Sequence, residues 1–271
     1  MDTPGYRDFM HNTQAVLKVV DSMIILVDAV GGVEVQTEKA WDISESFALP
    51  RILVINKLDR DNAGFERTME SIHENLGKSA IPIHLPLGQE KEFHGIIDLL
   101  RNKALIYETD TSGKFKEQEI PAHMADAAAK AREALIEKVA ESSESLMEKF
   151  FEEGTLSDEE IAQGLTTGIL NHTVVPVLCT SATLNVGTQQ VMDFINDYLP
   201  NPAVKGRNDG KDAKGQEVQR EISSTAPASA FVFRTVADPF AGRISLFRVH
   251  SGSVKSDSTL LNVTREKTER L

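Results

Sequence analysis

Apolar residues recur along the chain at two different periods. From Tyr6 to Val20 the positions Phe9, Thr13, Val16, Leu17 and Val20 repeat at the helical interval. Met23 to Val27 is then an unbroken apolar run closed by Asp28, which reads as a buried strand. Gly31 and Gly32 break the chain, and Thr37, Ala40, Trp41, Ser44, Phe47 and Ala48 line one face of a second helix that stops near Pro50. A second buried strand, Arg51 to Ile55, and a helix over roughly Phe65 to Leu76 follow. Helices between short, all-apolar strands predict a parallel sheet covered on both faces.

The pattern then turns irregular. Strand-like pieces around Ile81 to Leu87 and Gly95 to Tyr107 lead into a long acidic helical tract from about Ala122 to Phe151. Its apolar positions are Ala134, Leu135, Val139, Leu146, Met147 and Phe150, with glutamates between them. Ser157, with Glu160 three residues on, has the form of a capping box opening a helix to Leu170. The buried-strand text resumes at Val174 to Cys179, and a helix from Val191 to Tyr198 ends at Pro200. Residues 201–226 are rich in Gly, Lys, Asp, Gln and Ser without a periodic apolar face, and read as a linker. Beyond them only strands are predicted, at Ala230 to Val236, Arg243 to Val249 and Thr259 to Val263, too few to close a barrel.

Composition narrows the classes. With 271 residues, 29 basic and 41 acidic side chains and 41% hydrophobic residues, the chain is of ordinary globular type and long enough for about two domains. The formal charge of −12 argues against a surface that grips nucleic acid along its whole length. A single cysteine, Cys179, cannot form an intramolecular disulfide, and no leader or long apolar run is present, so the expected location is cytoplasmic, with no membrane partner. Seven histidines have no metal-ligand spacing with Cys179, which itself lies in an apolar strand where a reactive thiol is not expected.

The chemistry collects at the ends of the apolar strands, where an open parallel sheet places its ligands. Three motifs occupy such positions: Asp2-Thr3-Pro4-Gly5, Asn56-Lys57-Leu58-Asp59 and Thr180-Ser181-Ala182. Discriminating guanine requires an acceptor for its N1–H and exocyclic N2 hydrogens, and an aspartate offers two oxygens at the right spacing. Asp59 is the candidate. Lys57 can lay its aliphatic stem over the base plane, and Asn56 can tie its turn to neighbouring loops through the amide. Backbone N–H groups near Ser181 and Ala182 can donate to guanine O6, with the small Ala182 side chain permitting close approach. Each motif alone is more often a cap or a turn than a base reader; their order, with the second and third directly following apolar strands, points to a guanine-nucleotide site.

The wording of these motifs resembles the elongation factor G family of translational GTPases. The resemblance is carried by Asp2-Thr3-Pro4-Gly5-Tyr6-Arg7-Asp8-Phe9, Asp28-Ala29-Val30-Gly31-Gly32-Val33-Glu34, Asn56-Lys57-Leu58-Asp59-Arg60 and Cys179-Thr180-Ser181-Ala182. It continues through Asp197-Tyr198-Leu199-Pro200 and Ala237-Asp238-Pro239-Phe240-Ala241-Gly242, and so spans essentially the whole chain. It implies an α/β fold of the P-loop-NTPase type, a GTPase domain over 1–200 with a mostly parallel sheet and an α+β insertion at about 88–170. A linker would follow at 201–226, and the first strands of a β-barrel domain at 227–271. It further implies GTP/GDP and Mg2+ as ligands: Asp2 would hold the metal through a water and the Gly5 N–H would sense the γ-phosphate. Asn56, Lys57 and Asp59 would read guanine, helped by Ser181 and Ala182.

As partners it implies the ribosome, including its stalk protein at the insertion helices, with ribosomal RNA met mainly through segments outside these residues. The glutamates of the 133–153 region would then form either a solvated face or a docking surface for a basic partner. The sequence departs from the family text in two ways. The Gly-x-x-x-x-Gly-Lys-[Ser/Thr] phosphate loop and the first switch segment do not occur in the 271 residues, which is the expectation for an excised piece, a misplaced start codon or further residues ahead of Met1. Tyr6 stands where the family usually has a water-orienting histidine, which implies a divergent paralogue. The function expected is GTP binding and hydrolysis on the ribosome, driving translocation or a related step. The alternative is a ribosome- or stalk-binding module that keeps the fold as a scaffold and does not hydrolyse.

Overall fold

The computed structural model describes residues 1–212 and 214–271; position 213, within the stretch read as a linker, lies outside the described residues. The chain divides into two compact units, Ser22–Leu199 and Met1–Asp21 with Pro200–Leu271. The first 21 residues hold a short 3-10 turn, Arg7–Phe9, running into helix α1 (Met10–Leu17), which buries Thr13, Val16 and Leu17 as the helical period predicts. Phe9 breaks the pattern and stays exposed.

The unit Ser22–Leu199 opens with β1 (Met23–Asp28), α2 (Val35–Ser46), β2 (Arg51–Asn56), α3 (Phe65–Asn75) and β3 (Ala80–Pro82). Its antiparallel part is β4 (His84–Leu87), β5 (Gly95–Asp98), β6 (Lys103–Tyr107) and β7 (Phe115–Gln118). Three helices follow, α4 (Ala125–Ala140), α5 (Glu144–Glu153) and α6 (Asp158–Leu170), before β8 (Val175–Cys179) and α7 (Thr188–Tyr198) close the unit. Strands β1, β2, β8 and β3 pair in that order, all parallel, and β4 to β7 pair in chain order as a separate antiparallel sheet. The α/β reading, with an α+β insertion, is therefore the observed architecture.

The strand-like piece from Ile81 to Leu87 serves both sheets. Ile83 is the junction: its N–H donates to Val177 O in the parallel sheet, while its carbonyl accepts from Leu99 N–H beyond β5. β2 and β8 are buried along their central residues, which explains their all-apolar text. β1 is different. Ile25 and Val27 are buried, but Ile24 and Leu26 on the other face are 40% and 63% exposed, so an apolar run did not mean that both faces are covered here.

The acidic tract expected to be one helix is two. α4 ends at Ala140, and the Ser143 hydroxyl accepts from Leu146 N–H (3.3 Å) to start α5. A serine's short polar side chain competes for backbone groups and so favours a cap over a helix interior. Leu135, Ile136, Val139 and Ala140 form the buried side of α4, whereas Ala134, expected there, is exposed. α6 carries the predicted capping box, with Glu160 N–H on Ser157 Oγ and Ser157 N–H on Glu160 Oε2.

In the other unit, residues 201–226 contain a 3-10 turn at Pro202–Lys205 and a hairpin of β9 (Arg207–Lys211) with β10 (Glu217–Glu221). Most side chains of these strands are exposed, so no alternating apolar signature betrays them in the sequence. The hairpin β11 (Ser229–Asp238) with β12 (Gly242–Ser251) and the pair β13 (Thr259–Asn262) with β14 (Lys267–Arg270) complete it. β14 was not foreseen: Lys267, Thr268, Glu269 and Arg270 are all exposed and polar. Arg248 on β12 donates to Asp21 Oδ2 (2.6 Å) and to the Val19 carbonyl, which ties the segment after α1 to this hairpin. Among the described residues, no helix is long and apolar enough to cross a membrane.

Candidate functional site

In the parallel sheet, three strand ends meet on one edge. Register pairs Asp28 of β1 with Asn56 of β2, and Ile55 with Cys179 of β8, so the segments that follow leave the sheet side by side. Asn56 joins two of them. Its Oδ1 accepts from the Thr180 hydroxyl (3.2 Å) and from the Ala182 N–H (3.0 Å). Backbone bonds reinforce the junction, Thr180 N–H to Ile55 O at 2.8 Å and Leu58 N–H to Thr180 O at 3.4 Å. This is the tie that an amide at position 56 was expected to make.

Asp59 follows in the same turn. Its side chain is 12% exposed, with one oxygen 4.0 Å from Arg60 Nε. The other oxygen, Oδ1, is buried and has no hydrogen-bond partner among the described residues. Buried polar atoms are costly to leave unpaired, and Asp59 Oδ1 is one of six such side-chain atoms among the described residues, the one that lies in the turn after β2. Asp59 thus keeps one carboxylate oxygen without a donor among the described residues.

Lys57 sits between them in the left-handed region (φ +66°), a conformation that a side-chain-bearing residue adopts only when its surroundings impose it. Its ammonium reaches across to β1 and donates to Asp28 Oδ2 at 2.5 Å, while about half of the side chain remains exposed. Asp28 Oδ1 accepts from the N–H groups of Val30 (2.8 Å) and Gly31 (3.4 Å). Partial burial pushes the Asp28 carboxyl up, but the Lys57 hydrogen bond and charge, with the two backbone donors, outweigh it and hold it below its ordinary value. Sequence reasoning gave Asp28 no role. The signals available were an aspartate at the carboxyl end of an apolar strand and its place at the head of the Asp28–Glu34 motif.

Ser181 is fully buried and Ala182 exposed. The backbone donors expected to face a base oxygen are engaged within the chain: Ser181 N–H bonds Val186 O (3.0 Å), and Ala182 N–H bonds Asn56. The Ser181 hydroxyl accepts from Leu184 N–H (3.1 Å) and shapes the loop. Gly187 closes that loop at φ +76°, where a Cβ would come within 2.2 Å of the Cys179 carbonyl oxygen. Cys179 itself is buried and its thiol pKa is pushed well up by burial, in keeping with the inert reading.

Asp2, Gly5 and Tyr6, expected on the metal and phosphate side, lie in the other unit ahead of α1. All three are exposed, Tyr6 by 78%, and a Cβ added at Gly5 would meet nothing within 4 Å.

Residues 1–201 match the sequence model for the elongation factor Tu GTP binding domain. The chain belongs to that family of translational GTPases. Among solved structures, a crystal structure of a Thermus thermophilus protein is similar at a TM-score of 0.83 and 28% identity, covering 100% of this chain and 37% of that one. The chain therefore spans little more than a third of the length of that relative. Guanine-nucleotide binding is the chemistry this GTPase family implies. The residues present fit the base of such a ligand, through the orphan Asp59 oxygen and the loops that Asn56 ties together.

Proposed function

We propose that this chain supplies the base-reading half of an elongation factor G-type GTPase that binds and hydrolyses GTP on the ribosome to drive translocation or a related step. The observation that carries the reading is the buried, unpartnered Asp59 Oδ1 beside Asn56 and Lys57. Asp59 would accept from guanine N1–H and N2–H, Lys57 would lay its stem along the base plane, and Asn56 would keep the Ser181–Ala182 loop in place. An approaching base would share the Ala182 N–H with Asn56. Asp2 would hold Mg2+ through a water, Gly5 would present its N–H to the γ-phosphate, and Tyr6 would stand where the water is oriented. The metal, when bound, supplies neutralisation of phosphate charge.

The domain organisation that goes with this function is a GTPase domain over 1–200 with its insertion at about 88–170, a connecting segment at 201–226, and the opening of a β-barrel domain from 227. The insertion helices would be a docking face for the ribosomal stalk, and the protein would work in the cytoplasm. The glutamate-rich, outward sides of α4 and α5, where Glu133, Glu137, Glu144 and Glu148 are exposed, support that part of the reading.

The test is base selectivity. Asp59→Asn replaces an acceptor pair with one acceptor and one donor, which mismatches guanine and suits xanthine, whose C2 oxygen can accept. Each mispaired buried group costs about 1–3 kcal/mol, so guanine-nucleotide affinity is expected to fall about a hundredfold while xanthine-nucleotide affinity rises. Displacement of a fluorescent guanine nucleotide reads both. Unchanged guanine affinity in Asp59→Asn removes Asp59 from the site and, with it, the proposed function.

A further inference from the structure

Lys57 has an unusual pair of constraints. Its backbone is held in the left-handed region, and its ammonium is anchored to a carboxylate on a different strand, β1, 29 residues earlier. That carboxylate is itself aimed: with Oδ1 engaged by the Val30 and Gly31 N–H groups, only Oδ2 is directed at Lys57. A lysine stem fixed at both ends has lost the rotamer freedom that a free lysine would give up on binding. Half of the side chain still faces solvent, so the anchored stem presents an open aliphatic surface. An ammonium left untethered would instead draw the stem outward into water.

We infer that Asp28 is a positioning residue for nucleotide recognition: by anchoring the Lys57 ammonium, it sets the lysine stem as a preformed apolar shelf for the face of a purine base. The inference rests on the reading of the Asn56–Asp59 turn as the base site. Asp28 touches no ligand and acts through Lys57. Its effect is on affinity, because preorganisation spares the ordering cost at the moment of binding. Asp28→Asn is the informative substitution, since an asparagine oxygen can still accept from Val30 and Gly31 while the charge that holds Lys57 is gone.

The experiment is an NMR titration of the 271-residue chain with guanosine 5′-monophosphate, with adenosine 5′-monophosphate as the base control. It uses the natural chain, Asp28→Asn, Lys57→Met and the double substitution. Asp28→Asn is expected to weaken binding of the guanine nucleotide about tenfold when Lys57 is present and by no more than about twofold when Lys57→Met is already in place. Equal loss in both backgrounds means that Asp28 acts through its turn and overturns the proposal. Should Asp28→Asn fail to fold, Lys57→Met alone carries the test: it keeps an apolar stem but cannot be anchored, and binding as tight as in the natural chain overturns the proposal. If the natural chain does not prefer guanine to adenine, the base-site reading fails first, and the positioning role falls with it.

Discussion

The two halves of the candidate machinery are built differently. At the ends of β2 and β8 nearly every polar group is spoken for: Asn56 bridges two loops, Ser181 shapes its own, and Asp28 holds Lys57. Among the described residues, Asp59 Oδ1 is the buried side-chain atom there that lacks a partner. The segment from Asp2 to Tyr6 is the reverse, with Asp2, Gly5 and Tyr6 exposed and the Tyr6 carbonyl accepting one turn bond from Phe9 N–H. A flat, rigid base can be recognised only by partners already in place, because loose ones must be ordered at a cost during binding. The loops proposed to read the base are organised by their own chain. The residues proposed for metal, phosphate and water take no comparable support from their immediate neighbours.

The contrast can be broken most severely at Gly187. Gly187→Ala would put a methyl group into the Cys179 carbonyl and force an unfavourable φ, so the loop joining Ser181 to α7 would have to move. A loss of about 3 kcal/mol or more is expected, read as a lower urea midpoint at constant slope. A midpoint equal to that of the natural chain would mean that the loop is not held as described. Next comes Asn56→Ala, which removes the acceptor shared by Thr180 and Ala182. It should cost about 1–3 kcal/mol, with faster amide exchange at Ala182 as the local sign. Exchange that stays slow there would show that the backbone bonds of Thr180 alone keep the loops together.

The smallest effect, and the one that probes the opposite side of the comparison, is at Tyr6. An imidazole can accept from or donate to a water at a reach that a longer, neutral phenol cannot reproduce. If the proposed function holds, Tyr6→His in the full-length protein is expected to raise ribosome-stimulated single-turnover GTP hydrolysis about tenfold, equivalent to roughly 1.4 kcal/mol of barrier, with little change in GTP affinity. Because Tyr6 is 78% exposed, the substitution should leave stability where it is. A rate that stays level or drops would assign water placement, or the slow step, to another part of the protein.

Much of the architecture was legible from local patterns. The alternation of apolar strands and helices gave the parallel sheet, and the capping box at Ser157 and Glu160 located the start of α6 to the residue. The tie made by Asn56 was foreseeable because an amide after a buried strand has few other partners. The break between α4 and α5 was visible only as a Ser-Ser step that also fits a continuous helix, and β14 could not be read because a fully exposed strand has no burial period. The backbone donors expected at Ser181 and Ala182 are both used inside the chain, Ser181 N–H on Val186 and Ala182 N–H on Asn56, pairings that no local pattern in the sequence indicates.

What the sequence determined by itself was therefore the set of elements whose hydrophobic period is enforced by burial, and the identity of the polar residues placed just after them. The tertiary structure decided which of those residues meet. Parallel register brought Asp28 level with Asn56, and the turn after β2 sent Lys57 back to β1. Packing left one buried Asp59 oxygen without a hydrogen-bond partner among the described residues. Such pairings join residues distant in sequence, and no local propensity encodes them. They exist because strands from separate parts of the chain are laid side by side, where a charge or an unpaired oxygen acquires its neighbours from the sheet.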